Sequence, residues 1–490
     1  MISKKFFKSS VIYSIIGSLP MLSGFILLPF YTGDFLSEKN YGYLTLHLAF
    51  ALLFQSVFVF CLESFVGPVI IEHKHDAVVL HKKLATINYY SLLFGIIGIA
   101  VMFLIGSAVF SYSFSEAEPL QFYPYMSFTV LTSFFNAYFK LYCNQLIYTE
   151  NTKVYLIVNV VNFLATLVIS ISGLYVFGDS IMGPLMGRFL SGIIIFVIAF
   201  YSLYKAYGIK RDATYLKEIK AFCWPLILFC VLNWLFNNAD RLFIEKILNT
   251  ELVGLFDFGI KCTLGIEIIF GGMNNAIYPK IYKLIQEKSS LEQLKEHVNK
   301  YASGYLIVII LAIVFTLVSV PFAVMLFIKK SFFHKALAFL AILAVGQIFK
   351  VLYFIYLAPL FYFKRTDLVA KSFLFATTIQ LIMTAVLVYY FKLNGIIMAY
   401  ILSKPFQILF VYLESNKLIH LPINIIKQGV LPILLVILVF AFQLVVKDNQ
   451  AMYYNPLIGG LILIVTLFFY RNEIKPFYKE FIKKKLLKNV

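Results

Sequence analysis

Apolar runs dominate this chain, and polar residues are confined to short stretches between them. A bilayer crossing needs about 20 mostly apolar residues. Runs of that kind lie near 10–31, 42–69, 84–110, 121–147, 153–177, 181–203, 221–244, 252–277, 301–328, 336–361, 370–391, 394–414, 428–446 and 453–470. The pattern predicts an all-α polytopic membrane protein of about 14 transmembrane helices. A 12-span chain carrying two appended spans reads the same way after residue 420. The first run is too long for a signal peptide, lacks a small-residue cleavage site and is followed by many more. Its Gly17, Pro20, Gly24 and Pro29 predict a bent or broken helix, because proline removes a backbone donor and clashes one turn back.

The pattern also repeats. FLSEKNYGYL at 35–44 and ILNTELVGLF at 247–256 share apolar, Leu and Gly positions 212 residues apart. Asn151-Thr152 and Arg365-Thr366 open spans that both end in Tyr-x-Phe, at an offset of 214, and Gly183 and Gly395 are again 212 apart. Fixed offsets at several anchors mark an internal duplication. Each copy has six spans, an even number, so both insert with the same orientation. This is the parallel-repeat arrangement, with a pseudo-twofold along the membrane normal and a substrate path between the halves. The expected organisation is a six-helix bundle over 1–204, a cytoplasmic linker over 205–220, a second six-helix bundle over 221–416, and two further helices with a basic tail over 417–490. After span 8, Ser289 and Glu292 have capping-box spacing at the start of a short amphipathic helix.

Composition agrees: 61% of residues are hydrophobic and 13% charged, where a soluble domain carries roughly a quarter charged. The net charge of +18 would suggest a nucleic-acid partner were it not for its placement. The N-terminus, the C-terminus and alternate connections hold 29 Lys and Arg; the opposite connections hold 7, and six lie within spans. That is the positive-inside bias, and it puts both termini in the cytoplasm. No nucleic-acid partner is expected; the basic tail KEFIKKKLLKNV has the composition to meet anionic lipid. Cys61, Cys143, Cys223, Cys230 and Cys262 all fall in apolar spans without CxxC spacing, so they read as small hydrophobes. His73, His75 and His81 share a loop but lack a matching carboxylate or thiolate set, and no metal or other cofactor is expected. A glycosyltransferase or polymerase would need catalytic carboxylates in a sizeable external loop. Here those loops are short, there is no D-x-D, and Glu116-x-Glu118 reads as solvated.

Candidate chemistry therefore lies in ionisable groups inside the spans, which are costly there and face a bundle interior or a water-filled cavity. Six are cations: Lys140, Arg188, Arg241, Lys261, Lys350 and Lys404. Lys350 and Lys404 stand near mid-span, Arg241 nearer the outer face, and Arg188 and Lys261 about a third of the way in. At the 214 offset Lys350 maps one turn from Lys140 on the same face. Asp257–Lys261 and Arg241–Glu245 have i,i+4 spacing and can neutralise each other, whereas Lys350, Lys404 and Arg188 have no carboxylate one turn away. A diphosphate is a natural counter-charge for such a set, with Arg binding bidentately and Lys as a point charge. Glu63, Asp240 and Glu267 are candidates for coupling H+ or Na+; Glu63 and Glu267 read equally as protonated acids bonded to a neighbouring helix. Asn233, Asn237 and Asn238 can either join helices or bond sugar hydroxyls.

The junction NNADRLFIEKILNTELVGLF, the segment AIYPKIYKL, and the Gly-led spans GPLMGRFLSG and GIIMAYILSK, set in the repeat just described, resemble a known group. It is the Wzx-type O-antigen and capsule flippases, in the polysaccharide-transporter branch of the multidrug/oligosaccharidyl-lipid/polysaccharide (MOP) superfamily. The resemblance implies a bacterial inner-membrane protein that moves an undecaprenyl-diphosphate-linked oligosaccharide to the outer leaflet by alternating access, with ion coupling and with polysaccharide polymerase or assembly proteins as partners. It implies cavity roles for Arg188, Arg241, Lys261, Lys350 and Lys404. A lipid II flippase shares the 14 spans and cationic cavity. A drug or cation antiporter would instead carry 12 spans and an intramembrane carboxylate set.

Overall fold

The computed structural model describes residues 19–114, 117–287, 290–445, 450–473 and 475. Among the described residues the regular structure is helical and no strand occurs. The helices of at least ten residues are α1 Leu19–Phe30, α2 Glu38–Phe58, α3 Leu62–Glu72, α4 Ala77–Ser113, α5 Ser127–Tyr148, α6 Thr152–Phe177, α7 Met182–Tyr207 and α8 Ala213–Phe243. They continue as α9 Thr250–Lys261, α10 Leu264–Gln286, α11 Leu291–Phe327, α12 Leu337–Gly346, α13 Phe349–Tyr362, α14 Thr366–Leu418, α15 Leu431–Val445 and α16 Ala451–Phe469. Each expected span is matched by helix among the described residues, and the second, eighth and tenth are each divided between two helices. Among the described residues ten helical stretches are long and apolar enough to cross a membrane on their own, and α14 among them covers two expected spans. The fourth span (α5) and α10 of the eighth fall short because they are rich in polar residues, and α9 because it has only 12 residues.

Where helices start, short polar side chains take up the orphan N–H groups. Ser37 accepts from Asn40 N, Asp76 from Val79 N, and Asn151 from Val154 N. The capping box after span 8 is formed by Ser290 and Gln293, one residue beyond the expected pair. Ser290 is the residue with extended backbone there, so its hydroxyl reaches the Gln293 N–H; Ser289 lies outside the described residues. In the first span α1 runs through Pro29, and the helical path is lost at Gly33 (φ −90°, ψ −109°). Gly17, Glu116 and the basic tail lie outside the described residues.

The chain forms two compact units, Met1–Gly254 and Leu255–Val490. In the first, α6 and α7 form a close hairpin, and α8 lies against α2 and α3 rather than starting a separate body. Trp234 Nε1 on α8 donates to Ala49 O on α2 at 2.6 Å. The stretch 205–220, expected as a linker, is tied down: Lys82 pairs with Asp212 at 2.8 Å, Lys83 with Glu218 at 3.3 Å, and Tyr90 Oη donates to Asp212 O. The echoed motif has a packing reason. A Cβ on Gly42 would lie 2.0 Å from Thr250 O, and one on Gly254 would lie 3.0 Å from Tyr41 Cδ1, so the two repeats' equivalent helix starts cross at glycine.

In the second unit the two additional spans are integrated with the bundle. α16 packs on α11 and α12, and Asn455 Nδ2 donates to Leu337 O at 2.9 Å. Gln428 Nε2 donates to Asn299 O and Ser303 Oγ, both at 3.1 Å, and Lys427 pairs with Glu473 at 2.6 Å.

The duplication extends to backbone torsions. Glu150 (φ +58°) and Lys364 (φ +57°), 214 apart, both close a helix in the left-handed region. The next N–H reaches back five residues in each case, Asn151 to Leu146 O and Arg365 to Leu360 O, which is the Schellman pattern. Gly178 (φ +59°, ψ −135°) and Lys392 (φ +50°, ψ −129°) match at the same offset.

Candidate functional site

In the first unit the second span breaks in mid-course. Phe60 and Cys61 both have positive φ, and the chain restarts as α3 with Glu63 in its first turn. Glu63 is 3% exposed, and its Oε1 lies 3.3 Å from Lys140 Nζ on α5, the fourth span. Asn144, one turn further along α5, donates to Glu63 O at 2.7 Å and fixes the restarted helix against α5. Glu63 Oε2 is buried with no hydrogen-bond partner among the described residues. Lys140 keeps half of its side-chain surface exposed.

The second unit holds the same construction. The eighth span breaks at Cys262–Thr263, α10 restarts with Glu267 in its first turn, and Glu267 Oε1 accepts from Lys350 Nζ. Lys350 opens α13 in the tenth span, just after a break at Gln347–Ile348. Both side chains remain partly exposed, Lys350 by 23% and Glu267 by 29%. Glu63 and Glu267 thus both lie in the second span of their repeat and Lys140 and Lys350 in the fourth, although at offsets of 204 and 210 rather than 212–214. By sequence alone they separate into coupling carboxylates and substrate cations, and Lys350 has no carboxylate one turn away on its own helix. The partner comes from another helix. The signal available was that each repeat carries one Glu in its second span and one Lys in its fourth.

The other candidates are distributed. Asp257 and Lys261 pair at 2.7 Å within α9, as their spacing allows. Lys404 is buried, donates to Tyr400 O at 3.2 Å and lies 3.3 Å from the Tyr400 ring centroid, a cation–π contact one turn back. Arg241 Nη1 donates to Asn237 O at 2.9 Å and Asn238 Oδ1 at 3.3 Å, while Glu245 accepts from Thr250 Oγ1. Asn237 Nδ2 donates to Asn233 O and Asn238 Nδ2 to Trp234 O, so these amides bond along their own helix. Asp240 is buried near the end of α8. Arg188 on α7 stands beside Tyr31, and its Nε is buried without a hydrogen-bond partner among the described residues. Among the described residues no group of three or more His, Cys, Asp or Glu could hold a metal ion.

One buried polar group escaped the sequence reading. His47 on α2 is fully buried, with Nδ1 2.7 Å from Thr129 Oγ1 and Nε2 2.7 Å from Pro119 O. A carbonyl only accepts, so Nε2 carries the proton and, in the neutral ring, Nδ1 accepts from the Thr129 hydroxyl.

Comparison with known proteins places this geometry. The model of a family described as polysaccharide biosynthesis protein matches residues 34–330, well over half of the chain. The "Lsg locus putative protein 1" of Haemophilus influenzae is 25% identical over 385 residues, covering 76% of this chain and 89% of that protein. Among solved structures, the lipid II flippase MurJ in an inward closed conformation superposes with a TM-score of 0.68 at 12% identity, over 95% of this chain and all of that one. An inward-facing multidrug resistance MATE family transporter of the MOP superfamily gives 0.59 at 15% identity, over 83% of this chain and 98% of its own. These structural neighbours are transporters rather than enzymes, and at such identities they show a shared fold. The chain belongs to the polysaccharide biosynthesis protein family and is built on the fold of the MOP-superfamily transporters.

Proposed function

We propose that this protein is a flippase. It carries an undecaprenyl-diphosphate-linked oligosaccharide, the repeat unit of an O-antigen, capsule or exopolysaccharide, from the cytoplasmic to the outer leaflet of the bacterial inner membrane. It works by alternating access coupled to an ion gradient, with both termini in the cytoplasm, and hands its cargo to polymerase or assembly proteins. The observation that carries the reading is Lys140. An ammonium in an apolar span with half of its surface exposed cannot rest in lipid, so it faces water or a polar ligand. Lys350, in the fourth span of the second repeat, is also partly exposed, by 23%. Arg188, Arg241, Lys261 and Lys404 add cationic character, and a diphosphate is the cargo group that such a set binds.

The same chemistry serves a second cargo. Lipid II also carries a diphosphate, and the superposition on MurJ covers more of this chain than that on the MATE transporter, which favours keeping it as the alternative. The deciding experiment follows lipid-linked sugars, leaflet by leaflet, in cells depleted of the protein. A complete undecaprenyl-linked oligosaccharide stranded on the cytoplasmic side, with loss of surface polymer, is the expected result. Stranded lipid II would select the alternative. Units that reach the outer leaflet but stay unpolymerised would mean an enzyme's role instead.

A further inference from the structure

The two glutamate–lysine pairs invite a question that a substrate-binding role for the lysines leaves open: why each lysine should have a carboxylate at all. If the ammonium groups existed only to bind cargo, an adjacent carboxylate would weaken them. If the pairs were only structural, they should be dry and fully hydrogen-bonded, since an incompletely satisfied buried pair seldom repays its desolvation. Neither description fits. Glu63 leaves Oε2 without a partner, and Lys140 is half exposed. Both members of the second pair are partly exposed.

The carboxylates also stand where an anion is favoured. Glu63 lies in the first turn of α3 and Glu267 in the first turn of α10. Both helices restart inside an apolar span, where a helix start carries the positive end of its dipole, although the N–H groups of Leu62, Ser64 and Ile266 already donate to Val59 O, Cys61 O and Thr263 O. In each unit an anion seat is formed by a helix start and a lysine from a neighbouring helix, and the protein's own carboxylate occupies it. The same kind of seat is built twice, from the second and fourth spans of each repeat.

We propose that Glu63 and Glu267 are resident counter-ions of Lys140 and Lys350, yielding the ammonium groups to the phosphate oxygens of the cargo and reclaiming them when the carrier is empty. This rests on the reading above that the cargo carries a diphosphate. The physical need is clear. A carrier must return without cargo, and a lysine left uncompensated in an apolar bundle is costly. A tethered carboxylate keeps the empty protein close to electroneutral at each seat. It also restricts access to anions able to displace a carboxylate, for which a diphosphate is well suited.

The test uses the full chain in lipid nanodiscs, with undecaprenyl diphosphate as the probe titrated in. Glu63→Gln and Glu267→Gln should each bind the probe about tenfold more tightly, while surface polysaccharide in cells carrying them falls because the empty carrier resets slowly. Lys140→Gln and Lys350→Gln should bind it about tenfold more weakly. A structural role alone predicts no gain in affinity from removing a glutamate. Glu63→Asp and Glu267→Asp keep the charge with a shorter reach and serve if a Gln variant does not fold; they too should tighten binding, by less. Unchanged or weaker binding in the glutamate variants, with the lysine variants weakened, would overturn the counter-ion role and leave the flippase reading in place. Failure of the wild-type protein to bind the probe would overturn both.

Discussion

At the scale of single residues, the intramembrane cations differ in how they are held, and so in what their loss should do. Lys350 shares its charge with Glu267, and Lys404 is buried against Tyr400. If both serve the cargo, Lys350→Ala or Lys404→Ala should abolish surface polysaccharide while the protein still inserts. Normal export by the double variant would rule that out. His47 represents a different class, a polar residue doing structural work. Its ring satisfies Thr129 and the Pro119 carbonyl at once. His47→Leu should therefore cost about 1–3 kcal/mol, the usual penalty for orphaned buried polar groups. The thermal unfolding midpoint should fall, and by less when Thr129→Val is added, since one orphan is then removed.

At the scale of elements, the duplication makes paired predictions. Gly178 and Lys392 have nearly the same positive-φ backbone conformation, which a lysine tolerates poorly. Lys392→Gly should stabilise the protein by about 1 kcal/mol, read as a raised unfolding midpoint, and Gly178→Lys should lower it. The crossing of α2 and α9 is tighter still. Gly42→Ala drives a Cβ to 2.0 Å from the Thr250 carbonyl oxygen, whereas Gly254→Ala meets the Tyr41 ring, Gly42 N and Glu38 O at 3.0–3.3 Å. The first should cost about 2 kcal/mol or more, and the second distinctly less. The connection before α8 is sensitive to pH in one direction. The hydrogen bonds from Lys82 and Thr214 hold the Asp212 carboxyl below its usual range. A depressed carboxyl stabilises while it is ionised, so the tether is fully present at neutral pH and is lost only as pH falls through the lowered value. Protection from hydrogen exchange at 205–213, taken relative to the intrinsic rate at each pH, should stay constant from pH 8 to about 5 and fall only below about 4, near the ordinary aspartate range and lower.

At the scale of the whole molecule, the proposed cargo makes transport electrogenic. Each elementary charge moved across the membrane is worth about 2.3 kcal/mol per 100 mV. An interior-negative potential drives a diphosphate outward, and inward movement of a coupling cation adds to the same current. Clamping the potential to zero with valinomycin and potassium should therefore slow the appearance of lipid-linked sugar in the outer leaflet at constant pH gradient. A rate indifferent to potential would exclude net charge movement in the slow step.

The architecture was legible in the sequence because the bilayer imposes it: each crossing must be a long apolar helix, and each charge left inside one stands out. Duplication was legible too, since fixed offsets survive as glycines and turn residues, but that Gly42 and Gly254, anchors of that offset, also meet at a helix crossing came only from the structure. Tertiary structure alone decided which charges are company for which. Asp257 and Lys261 are neighbours along one helix and could be paired from spacing, but Glu63 reaches Lys140 across 77 residues and Glu267 reaches Lys350 across 83. Such contacts depend on where two spans break and how adjacent helices are rotated. Neither the breaks at Cys61 and Cys262 nor the rotation leaves a periodic trace in the chain, because a hydrophobic pattern encodes which surface is buried and not what it is buried against.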